Sequence, residues 1–143
     1  MGTWAAGPFD NDVAADWCGA LDDAEPAARA AMVERILREV VDERDYLDSW
    51  PASKAVAAAA IVAGQLPGGP PVDSAYAPDF VTSGGHLDLP GHVPALAVQA
   101  LDRILGADSE LRELWDESDG SAALIAELAP IRAALESGTP AGR

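Results

Sequence analysis

Carboxylates dominate the chemistry open to this chain. Between Glu39 and Asp48 stand Glu39, Asp42, Glu43, Asp45 and Asp48, opposed only by Arg44. A second run, Asp108, Glu110, Glu113, Asp116, Glu117 and Asp119, meets a single Arg112. Like charges held together raise the local potential, speed encounter with a cation-rich partner and make binding weaken as salt rises. The plainer reading is a solvated face that keeps a small protein soluble. The two runs together define a candidate docking surface for a basic protein.

Other constellations are weaker. His86, Asp88 and His92 could converge on a metal or form an acid/base pair, but they sit in or beside a loop, and three possible ligands make only a weak alternative. Asp12 and Asp16 lie one helical turn apart, so burial together would raise the pKa of one of them. Asp10-Asn11-Asp12 looks like the opening of a calcium loop, yet Ala14 and Ala15 occupy the next ligand and glycine positions. Capping a helix suits the triplet better. Cys18 has no basic residue near it in sequence and reads as a packing residue. No phosphate-binding glycine loop, nucleophile elbow or zinc-protease helix occurs. The expectation is a non-enzymatic binding protein with no catalytic set, cofactor or metal. Its rival is a small hydrolytic or metal-dependent enzyme using the 73–92 loop or the Asp12/Asp16 pair.

The elements that must position these residues are helical. Residues 51–65, PASKAVAAAAIVAGQ, lack any polar side chain from Ala55 to Gly64, and a helix apolar on every face belongs inside a protein. It is shorter than the roughly 20 apolar residues a membrane span needs. Before it, Val13, Trp17 and Leu21 recur at helical spacing, followed by Met32, Val33, Ile36, Leu37, Val40 and Val41 in a helix that opens near Pro26 and fades near Leu47. Trp50, preceding Pro51, is pushed away from helical angles. After the long Pro/Gly loop of residues 67–91, Ala97, Val98, Leu101, Ile104 and Leu105 mark a helix from Val93 to Gly106, with His92 at its cap. Leu111, Leu114 and Trp115 mark another, capped by Asp108 or Ser109. Leu124, Ile125 and Leu128 mark a last one that kinks or restarts at Pro130. The fold class is therefore all-α: a single compact bundle of about six helices around the Ala-rich segment, with an ordered N-terminal arm, one domain over 1–136 and a disordered tail over 137–143.

Whole-chain charge narrows the partners. Against 24 Asp and Glu stand 9 Lys and Arg, a net charge of -15 in 143 residues. Such a surface repels nucleic acid and anionic lipid. The lone cysteine and the lack of a secretory signal fit a reducing cytoplasm. Oligomeric state stays open.

The opening MGTWAAGPFDNDVAADW carries Met1, Gly2, Trp4, Gly7, Phe9, Asn11, Asp12, Ala15, Asp16 and Trp17. It closely resembles the N-terminal signature of a bacterial family, the domain of unknown function 4259. Weaker matches lie in the Ala-rich segment and in Ser109-Glu110-Leu111 with Leu114-Trp115. Family members often have Gly where Ala5 stands. The resemblance implies no activity; small acidic proteins of this kind invite comparison with immunity proteins against toxins. Physically, Trp4 and Phe9 would pin the arm across Trp17, while Asn11 and Asp12 fix the start of the first helix. In the alternative, Asn11, Asp12 and Asp16 line a pocket beneath the arm.

Overall fold

The computed structural model describes residues 12–66, 69–70, 72, 77–83, 85–117 and 120–138. Among them are seven helices: α1 (Asp12–Asp23), α2 (Pro26–Asp42), α3 (Ser49–Gln65), α4 (Asp79–Thr82), α5 (Val93–Leu105), α6 (Glu110–Glu117) and α7 (Ser121–Gly138). The expected all-α bundle is present, and the helix beyond the expected number is the one-turn α4 inside the long loop. The signature residues Gly2, Trp4, Gly7, Phe9 and Asn11, and with them the ordered arm and its pocket, lie outside the described residues.

The α3 helix is the axis of the molecule and packs against α1, α2, α5, α6 and α7. Every residue from Ala55 to Ala63 is buried. Alanines let the neighbouring backbones come close, and the larger Val56, Ile61 and Val62 fill what space is left. Around it, Val33, Ile36, Leu37 and Val40 of α2, Leu96, Ala97, Leu101 and Ile104 of α5, and Leu124, Leu128, Ile131 and Leu135 of α7 complete one hydrophobic core. Each large aliphatic side chain removed from water contributes about 1.5–3 kcal/mol.

Several boundaries depart from the sequence expectation, each for a physical reason. On α1 the buried face is Ala14, Trp17, Cys18 and Leu21, so Cys18 is core and Val13 only half-buried. Helix α2 stops at Asp42 instead of running towards Leu47, because Leu47 turns into the core, 1% exposed, and its backbone bonds elsewhere. Helix α3 begins at Ser49, so Trp50 is helical despite preceding Pro51. The first-turn N–H groups have no intrahelical partner in any helix, so proline costs no bond there. Pro130 sits inside a continuous α7 on its exposed side, where water can reach the carbonyl a proline leaves unbonded. That helix runs to Gly138, two residues into the expected tail.

The long loop is tied down where it is described. Asp22, at the end of α1, accepts the backbone N–H groups of Asp79 (2.8 Å) and Phe80 (3.1 Å), capping α4 from outside. Arg29 donates to the carbonyls of Leu21 (3.0 Å) and Asp22 (2.7 Å), and its guanidinium lies 4.1 Å from the centre of the Phe80 ring. Gln65 clasps the next stretch, donating to Gly85 O (3.3 Å) and accepting from Leu87 N–H (2.9 Å), which seats Leu87 in the core. A Cβ at Gly85 would collide with the Phe80 carbonyl, so only glycine fits that approach.

Candidate acidic docking face

The two acidic runs, about 60 residues apart in sequence, meet through one backbone bridge. Leu47 N–H donates to Asp108 O and Glu110 N–H donates to Leu47 O, both at 2.8 Å, forming a parallel bridge between Leu47 and Ser109. Leu47 and Ser109 are fully or almost fully buried and pin the two segments inward. Their carboxylate neighbours are left at the surface.

Arg103, in the last turn of α5, holds the junction from below. Its Nε donates to Glu43 O (3.1 Å), one terminal nitrogen to Asp45 O (2.8 Å), and the other to Ala107 O (3.0 Å) and Asp108 O (3.3 Å). These acceptors are backbone carbonyls, so the guanidinium fixes both segments while forming no ion pair with their carboxylates. Asp108 turns the chain there with a positive φ of 58°. Arg112 similarly donates to Leu105 O (2.9 Å).

Not every expected docking carboxylate is free. Glu110 accepts the N–H of Ser49 (2.8 Å), placing a negative charge at the positive end of α3. Glu113 accepts the Tyr46 hydroxyl proton (2.7 Å), which pushes the Tyr46 pKa up to about 12, with smaller contributions from desolvation and from Glu110 and Asp48. Glu43 accepts from Asp45 N–H (3.2 Å), and Asp116 pairs with Arg112 (3.2 Å). Glu39, Asp42, Asp45, Asp48, Asp108 and Glu117 are exposed, and among the described residues none of them forms a salt bridge.

Large apolar groups are exposed on or beside the same two segments. Tyr46 is 43% exposed, Trp50 66% and Leu114 44%, three of the four exposed large hydrophobics among the described residues. Tyr46 is fastened to Glu113, Trp50 follows Ser49 and its bond to Glu110, and Leu114 shares the face of α6 that carries Glu110, Glu113 and Glu117.

Among the described residues the histidine loop forms no metal-binding cluster. His86, Asp88 and His92 are all exposed, and among the described residues no group of three His, Cys, Asp or Glu could hold a metal ion. His92 occupies the cap position of α5 without a side-chain cap bond; it turns to Glu34 instead (2.6 Å). That bond, followed by Arg38, holds the Glu34 carboxyl below its usual range. His86 and Asp88 line a cleft of about 290 Å³ with Gln65, Leu87, Leu89 and Pro94. Asp12 and Asp16 are exposed, and the arm and Asn11 with which they would line a pocket lie outside the described residues. Burial, with Asp22 nearby, pushes the Cys18 thiol up to about 12, leaving a packing residue and not a nucleophile. Ser109, with Asp108 one of the two expected caps of α6, keeps its hydroxyl buried without a hydrogen-bond partner among the described residues.

Arg103, Asp22 and Gln65 are positioning residues that sequence reasoning missed. Arg103 alone left a signal, being the one basic residue in the last turn of its helix. Its acceptors on the distant 43–45 segment carried none.

An all-α bundle built on a buried alanine-rich axis, with an acid-rich face at the start of that axis, is the class of protein these features define. The chain belongs to the family described as domain of unknown function (DUF4259), whose family model matches residues 2–127. No curated protein matches the chain, and no solved structure does. Among the described residues no helix is long and apolar enough to cross a membrane.

Proposed function

We propose that this protein is a non-enzymatic binding protein whose joined acidic segments, 42–48 and 108–117, dock on a basic surface of another protein, in the manner of an antitoxin or immunity factor acting in the cytoplasm. The observation that supports the reading is the Leu47–Ser109 bridge, which joins the two acidic segments, most of whose carboxylates are exposed. A charge of -15 adds a long-range attraction for cations and repels nucleic acid and anionic lipid. The scarcity of ion pairs on the face supports it too, since carboxylates already paired within the molecule have little left to offer a partner.

The test is a pull-down with the tagged protein from its own host's lysate, washed at low and then high salt, beside the triple charge reversal Asp42→Lys, Glu43→Lys and Asp45→Lys. The reading expects a basic protein retained at low salt, released at high salt and lost with the variant. Retention of the same partner by the variant sinks the docking face.

A further inference from the structure

Resting on the docking reading, we infer that the partner's segment binds through arginine side chains, whose guanidinium groups stack on Trp50 and Tyr46 while donating to the carboxylates around them. Carboxylates alone would accept lysine and arginine with little distinction. What separates the two is the pair of aromatic rings set among the acids. Trp50 is 66% exposed at the start of α3, a large cost to leave uncovered, and Tyr46 is held in place by Glu113 at 2.7 Å. Glu113 accepts from the Tyr46 hydroxyl, Glu110 accepts from the N–H of Ser49 next to Trp50, and Asp48 lies two residues from each ring in the chain.

A guanidinium is planar and weakly hydrated, so it can lie on a ring and present its N–H edge to a carboxylate at once. An ammonium is a compact, strongly hydrated charge without that edge. The protein uses the same pairing internally: Arg29 lies 4.1 Å from the Phe80 ring centre while bonding the carbonyls of Leu21 and Asp22. A second copy of this chain is a poor occupant, since a net charge of -15 on each copy opposes association of two acidic faces.

The experiment titrates the full-length protein with an arginine–glycine repeat peptide and with its lysine–glycine twin, following binding by calorimetry at low salt. The arginine peptide should bind about 3- to 10-fold more tightly. Trp50→Ala should bring it down to the lysine level, while Trp50→Phe retains part of the preference. Trp50 is exposed, so both variants should keep the wild-type circular dichroism and melting temperature. Equal affinity for the two peptides, lowered by salt and by charge reversal but untouched by Trp50→Ala, would overturn the arginine inference and leave the docking reading standing. Binding of neither peptide would overturn both.

Discussion

At the scale of single residues, function and stability separate on the same short stretch of chain. Ser109 is fully buried with an unpartnered hydroxyl among the described residues, although it stands where a serine would ordinarily cap a helix. A buried, unbonded hydroxyl costs about 1–3 kcal/mol. Ser109→Ala should therefore leave stability unchanged or raise it by up to about 1 kcal/mol. A denaturant melt showing a loss of about 1 kcal/mol, the ordinary result of removing a serine cap, would contradict this. Glu34 offers a second check. Its folded pKa lies below the ordinary value because His92 and Arg38 hydrogen-bond its carboxylate. Its stabilising contribution is then fully present above the unfolded value, about 4.3, and is lost as pH falls through the lower folded pKa. The pair is partly solvated, with side chains 54% and 25% exposed, so the effect on stability is small. His92→Gln should move the Glu34 titration upward in a carboxyl-detected NMR experiment; an unmoved titration would place the cause elsewhere.

At the scale of elements, the face depends on one arginine that reaches between segments. Removing the four carbonyl contacts of Arg103 should cost about 2 kcal/mol, since hydrogen bonds from a charged donor each contribute about 1.5–3 kcal/mol and shared ones do not add. Arg103→Ala should speed amide hydrogen exchange at Leu47 and Glu110, and Arg103→Lys should recover little, because a point ammonium cannot span both segments. Unchanged exchange at these two amides in Arg103→Ala would show that the bridge stands without it. The α4 turn makes a parallel case. Asp22→Ala should cost about 1 kcal/mol, as loss of a cap does, and expose the 79–83 stretch to proteolysis while the core stays intact. Here the limits of sequence reading become physical. Residues 55–63 announced their burial because no polar side chain interrupts them, and the stripes on α2, α5 and α7 followed from period alone. The bridge at Leu47, the early start of α3 at Ser49 and the capping of α4 by Asp22 depend on partners far away in sequence, about which local pattern carries no information.

At the scale of the whole molecule, each acidic run was legible in composition, while their juxtaposition was not. The parallel contact joins the stretch just before α3 to the segment that follows α5, so it rests on the packing of those two helices against each other. Docking through this face predicts association that slows as ionic strength rises, over a Debye length of roughly 10 Å at 0.1 M salt. Its most direct test is an amide NMR titration of the isotope-labelled protein with the arginine–glycine peptide at low salt. The account predicts shifts in both 42–50 and 108–117, rising together with one apparent affinity and reversed by added salt. Shifts confined to one run, or centred on the His86 and Asp88 cleft, would contradict a single face built from the two.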